Sequence, residues 1–179
     1  MRRHPRLLLT LLLVFIFIFI FAAVLAFAGD DDENKPAPHF RAKTTTGEAF
    51  NNDSVKGKVV LLEFWTTWCK YCHQEEQLVE QINRELSGKG LIVLAIDVAE
   101  SKKTVKKYLD QHPRECRIVL TEDTNLAAMY QANEYPIYVV IDRDGNITAE
   151  QYGAAGERAL RRMLARAGLK SETEETQER

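Results

Sequence analysis

The run Val59-Val60-Leu61-Leu62-Glu63-Phe64 constrains this chain more than any other segment. It has no alternation of polar and apolar positions, so as a strand it must be covered on both faces. Directly after it come Trp65-Thr66-Thr67-Trp68 and then Cys69-Lys70-Tyr71-Cys72-His73. Leu78, Ile82 and Leu86 recur at i, i+4 and i+8, which predicts a helix from about Lys70 to Leu86, ended by Gly88 or Gly90. A second apolar run, Leu91 to Val98, completes a parallel strand-helix-strand unit. The chain is therefore read as α/β, with two thiols where a central strand turns into a helix.

That placement has chemical consequences. A helix N-terminus carries partial positive charge and unpaired N–H groups, so it favours thiolate and can bring a cysteine pKa from about 8.5 to between roughly 3.5 and 7.5. Cys69 is placed to act as a nucleophile. Cys72, one turn on and on the same face, can attack a mixed disulfide at Cys69. The implied chemistry is thiol–disulfide exchange. Cys69-Lys70-Tyr71-Cys72-His73 also spells the c-type haem attachment motif, for which Met129, Met163 or His112 would have to supply a second axial ligand. The strand preceding the motif and the alternation of strands and helices around it favour the redox reading. A structural zinc site needs four ligands, and three cysteines and four histidines offer no second pair at ligand spacing.

The first 29 residues stand apart. Arg2, Arg3 and Arg6 precede an apolar run from Leu7 to Ala28, and Asp30 to Glu33 follow at once, a charge order that places the N-terminus inside and the rest outside. The length of the run suits a membrane anchor, while Ala26-Phe27-Ala28 resembles a signal-peptide cleavage site; both readings place the remainder outside the cytosol. There a Cys-x-x-Cys can work as a catalytic pair. Of the 24 Lys and Arg, three precede the apolar run, leaving an excess of acidic residues beyond it, so nucleic acid is not an expected partner. Residues 30–38, with Pro36 and Pro38, are expected to form a linker, residues 39–169 the folded domain, and residues 170–179 a disordered charged tail.

Within the domain, Phe40–Thr44 and Glu48–Phe50 flank Thr46-Gly47 as a hairpin. Ser101 caps a helix from Lys102 to about Gln111, before Pro113. Its Lys102, Lys103, Lys106 and Lys107 surround Val105 and Leu109 and read as a solvated face. Cys116–Leu120 is a strand, Asn125–Gln131 a short helix, and Ile137–Ile141 a strand that turns at Asp144-Gly145 into Ile147–Gln151. A helix over Ala154–Ala167 ends the domain. The order predicts a central mixed sheet flanked by helices.

Four segments in this order resemble a known family: Ala37-Pro38-His39-Phe40; Val55-Lys56-Gly57-Lys58 running through Trp65; Val98-Ala99-Glu100-Ser101-Lys102; and Tyr135-Pro136-Ile137 running through Gly145. From Pro36 to about Leu169 the chain is similar to the extracytoplasmic TlpA/ResA-type thiol–disulfide oxidoreductases, which have a thioredoxin-like fold. The resemblance implies that Cys69 attacks and Cys72 resolves, and that Pro136 is the proline beside the cysteines that takes a cis peptide bond. Glu63 matches the carboxylate kept beneath the second cysteine, and its burial would raise its pKa toward that of a proton acceptor for Cys72. Glu100 matches a glutamate that restrains thiol reactivity, although a solvent-facing residue before a helix cap would look the same. Trp68, Tyr71 and Tyr135 are candidates for contact with substrate. The family often has proline where this chain has Tyr71, which leaves the redox poise, and so the direction of electron flow, unread. The resemblance further implies no metal or organic cofactor, exported cysteine-containing protein substrates such as apocytochrome c, a membrane electron carrier as reductant, and a single membrane anchor with the catalytic domain on the extracytoplasmic side. Cys116 opens an apolar strand and reads as a small buried hydrophobe.

Overall fold

The computed structural model describes residues 35–170, so the anchor or signal expected over residues 1–29 and most of the tail lie outside the described residues. The elements are β1 (Lys35–Pro36), β2 (Arg41–Thr44), β3 (Ala49–Asn51), β4 (Val59–Trp65), α1 (Lys70–Leu86), β5 (Leu91–Asp97), α2 (Lys102–Leu109), β6 (Arg117–Thr124), α3 (Leu126–Met129), β7 (Ile137–Ile141), β8 (Asn146–Tyr152) and α4 (Glu157–Arg166). Among the described residues, no helix is long and apolar enough to cross a membrane.

One mixed sheet runs in the order β1-β8-β7-β4-β5-β6-β2-β3. β4 and β5, and β5 and β6, pair in parallel, while β7 lies antiparallel to β4 on its other side. The parallel unit and the antiparallel finish are those expected from the sequence. β4 sits near the middle, flanked by β5 and β7, and these three strands are apolar enough to be covered on both faces. Val59, Leu61 and Trp65 pack with Val79, Ile82 and Leu86 of α1, Val105 of α2 and Leu160 and Leu164 of α4. Val60, Leu62 and Phe64 face the other way, against Phe40, Phe50 and Leu126. Each such side chain, fully buried, contributes about 1.5–3 kcal/mol relative to exposure.

Local differences from expectation have physical reasons. Lys35 and Pro36, assigned to the linker, pair with Ile147 and Asn146 as an edge strand, a position where proline costs no sheet hydrogen bond. β6 extends to Thr124 because its second half pairs with β2. On α1, Val79 occupies the core position expected of Leu78, which is only half-buried. The turn into β8 is held by the Asp142 carboxylate, which accepts from the backbone N–H groups of Asp144 and Asn146 at 3.0 and 2.9 Å. Gly145 adopts φ +89° there, which a side chain would oppose.

Candidate active site

β4 delivers the chain to the C-terminal edge of the parallel strands, and the turn Thr66–Trp68 reverses it into α1. Cys69 is the N-cap of that helix, its sulfur accepting from the backbone N–H of Cys72 at 3.1 Å. A helix-capping sulfur is one whose negative charge the helix stabilises. Cys69 and Cys72 are joined in a disulfide with their Cα atoms 5.3 Å apart. The pair is almost enclosed, at 4% and 2% exposure, between Trp68 and Tyr71, at 68% and 58%.

Tyr135 and Pro136, far away in sequence, arrive just before β7. Their peptide bond is cis, as the resemblance implies. Tyr135 meets Trp68 edge-on at 5.8 Å and donates its hydroxyl to the Ala132 carbonyl at 3.1 Å. Trp68 and Tyr135 therefore form one aromatic corner next to Cys69, while Tyr71, between the two cysteines in sequence, is exposed.

Three groups of buried or half-buried acids lie on β4, on α1 and at the end of β5. Glu63 is fully buried on the α1 side of β4, and its Oε2 accepts from Arg114 Nη2 at 2.6 Å. Burial raises its pKa and outweighs the lowering by Arg114. Arg114 also donates from Nε to Glu80 at 3.0 Å, and its guanidinium lies 5.3 Å from the centre of the Trp65 ring. Glu80 accepts backbone N–H groups of Glu115 and Cys116 as well, and its pKa is lowered although burial opposes this. The sequence offered no sign of Arg114, because its partners are 51 and 34 residues away.

Glu75, one turn beyond Cys72 on the same face, accepts from the Tyr138 hydroxyl and from the backbone N–H groups of Ala155 and Gly156, tying α1 to the start of α4. Glu76 accepts from the Tyr108 hydroxyl at 2.6 Å. The rings of His73, Tyr108 and His112 stack, with centroids 5.3 Å and 4.4 Å apart along the series, and His73 Nε2 donates to the Thr67 carbonyl at 2.9 Å. Of the groups that a haem reading would use, the two sulfurs are bonded to each other, the imidazole is committed to this stack, and Met163 is buried in the core.

Glu100 is anchored rather than solvent-facing: its two oxygens accept from Thr67 N–H at 2.5 Å and from Thr67 Oγ1 at 2.6 Å, two residues before Cys69. Beside it is Asp97, absent from the sequence reading, which ends β5 opposite Trp65. Asp97 has 0% exposure, and burial together with the nearby Glu100 pushes its pKa up to about 8. Cys116 is buried, and its thiol pKa is raised by burial, which makes it inert at neutral pH.

Comparison with known proteins agrees with this geometry. Residues 34–150 match the AhpC/TSA family. The chain is 32% identical over 135 residues to the thioredoxin-like protein YneN of Bacillus subtilis, covering 74% of this chain and 78% of that protein. It is 28% identical over 130 residues to the thiol-disulfide oxidoreductase ResA of Bacillus cereus, covering 73% and 75%. A thiol:disulfide interchange protein of the thioredoxin family from Chlorobium tepidum superposes with a TM-score of 0.67 at 26% identity, covering 77% of this chain and 99% of that one. With a disulfide capping the helix after its central strand and a family match over most of its length, the chain belongs to the AhpC/TSA family and is a thioredoxin-like thiol–disulfide oxidoreductase.

Proposed function

We propose that this enzyme works as a reductant of disulfides in exported proteins, apocytochrome c among them, tethered by its N-terminal apolar segment with the domain on the extracytoplasmic side. The observation that carries the direction is the acid beside the nucleophile. Glu100 is bonded to the backbone N–H and the hydroxyl of Thr67, two residues before Cys69. Negative charge near a thiolate destabilises the reduced pair, and a pair whose reduced form is less stabilised gives up its electrons more readily.

In the forward reaction the Cys69 thiolate attacks a substrate disulfide, forming a mixed disulfide and expelling one substrate thiolate. Cys72 then loses its proton, with Glu63 as acceptor, and attacks the Cys69 sulfur. The second substrate thiol leaves, and the Cys69–Cys72 disulfide remains. Two electrons from a membrane electron carrier reset the pair. Trp68, Tyr71 and Tyr135 form the face on which the substrate peptide lies, and Pro136 shapes the segment beside the sulfurs.

The test is trapping. Cys72→Ser should accumulate mixed disulfides with exported proteins and Cys69→Ser should trap few, while Glu63→Gln should slow resolution roughly tenfold or more and leave attack unchanged. In cells the wild-type pair should be held mainly reduced. Equal trapping by both cysteine variants would overturn the division of labour, and a pair found oxidised at steady state would overturn the direction.

A further inference from the structure

We propose that Asp97 is a positioning residue for the exchange reaction: a buried carboxylic acid that acts through Glu100 on the Thr66–Cys69 segment, so that gaining or losing its proton changes the reactivity of Cys69. This rests on the thiol–disulfide chemistry of the enzyme and not on the direction of electron flow. Asp97 is fully buried, and the polar group that acts on its carboxyl is Glu100 of its own turn, through both side chain and backbone. Burial disfavours an ionised carboxylate in that position, so the proton is held to higher pH than on a free aspartate. Its neighbours in the sheet, Trp65 of β4 and Leu120 of β6, carry no charge. The ionisable groups that act on it are Glu100 in its own turn and Tyr135 in the segment before β7, whose hydroxyl pKa is raised by burial and by Asp97.

The backbone fixes this arrangement. The Asp97 carbonyl accepts from the Thr121 hydroxyl at 2.6 Å, and the same hydroxyl oxygen accepts from Ala99 N–H at 2.8 Å. Ala99 lies at φ +62°, a conformation that turns the chain back and brings Glu100 over Thr67. The carboxylate of Glu100 thus holds the N–H and the hydroxyl of one residue in the active-site turn, while Asp97 stands against it. With Asp97 neutral, Glu100 is free to hold Thr67. Once Asp97 ionises, two like charges share one turn, and a thiolate at Cys69 adds a third. Thiolate formation and the ionisation of Asp97 therefore oppose each other, and the two titrate as a coupled pair.

Two measurements on the full-length protein test this. In the oxidised protein, where Cys69 and Cys72 cannot titrate, the infrared carboxylic-acid band should contain a component that persists to about pH 8 and is missing in Asp97→Asn. In the reduced protein, Asp97→Asn should alkylate at Cys69 roughly five- to tenfold faster than wild type just above pH 8, with one step in the pH profile in place of two. Superimposable profiles, or an unchanged infrared band in Asp97→Asn, would overturn the proposal. Should Asp97→Asn fail to fold, Glu100→Gln keeps Asp97 and removes the like charge, and its infrared component should then disappear at lower pH than in wild type. A component that does not move would equally overturn the proposal. Because the infrared measurement involves no exchange reaction, its failure is separate from any failure of trapping.

Discussion

Single residues here separate into those that local chemistry announces and those that only tertiary structure explains. Cys69 and Cys72 were legible because a thiol at a strand-to-helix turn has few other uses, and Glu63 because a carboxyl inside a doubly buried strand requires a reason. Arg114 was not legible: it follows Pro113 in a loop, with nothing nearby to mark it as buried. Its side chain is nonetheless closed off between Glu63 and Glu80. A buried pair adds little against an apolar substitute, but removing one partner strands the others. Arg114→Met is therefore expected to destabilise the protein by about 3–5 kcal/mol at neutral pH. Adding Glu63→Gln and Glu80→Gln to that variant should restore much of the loss. Urea melts of the single and triple variants check this, and a triple variant no more stable than the single one would show that the arginine acts through packing alone.

At the scale of elements, the sequence pattern located strands and helices well and helix faces less well. The buried side of α1 carries Cys72, Val79, Ile82 and Leu86, but also Glu75, Glu76 and Glu80. An apolar stripe is the usual signal of a buried face, so three inward glutamates pass as solvated ones. Their partners, Tyr138, Tyr108 and Arg114, come from three later segments. The same dependence on distant contacts explains why α4 starts at Glu157 and not at Ala154: Glu75 holds the backbone at Ala155 and Gly156 outside the helix. The β5–α2 turn likewise carries no local signal. A glycine would have announced its left-handed position, but the residue there is Ala99. An L-residue pays about 1–2 kcal/mol in that conformation, partly offset by the greater freedom that glycine gives the unfolded chain. Ala99→Gly is accordingly expected to raise stability by about 0.5–1 kcal/mol while leaving the Glu100–Thr67 contact in place. Equilibrium unfolding measures this, and a destabilised variant would mean that the turn is not strained.

Across the whole molecule, the two-faced core around β4 follows from apolar pattern alone, whereas the distribution of buried charge does not, and that charge decides how stability responds to pH. Glu63 and Asp97 have folded-state pKa values above their unfolded ones. The folded state then binds more protons than the unfolded state, so these groups contribute stability that is fully present below about pH 4 and lost as pH rises, for Asp97 through about 8. Cys116, also raised by burial, extends the same trend to more alkaline pH. Glu80 has the opposite sign: its lowered pKa contributes stability above its unfolded value that disappears as pH falls through the folded one. The two limbs cross on the acid side of neutrality. For the oxidised protein these groups place maximal stability at roughly pH 4 to 5, with a decline as pH rises through about 8. Asp97→Asn should flatten that decline, with a gain over wild type that is small at pH 4 and larger by at least about 2 kcal/mol at pH 9. Urea unfolding at a series of pH values provides the measurement. A wild-type maximum at pH 8 or above, or a gain in Asp97→Asn that is the same at both ends of the range, would show that Asp97 is ionised in the folded protein, and the alkaline limb would need another source.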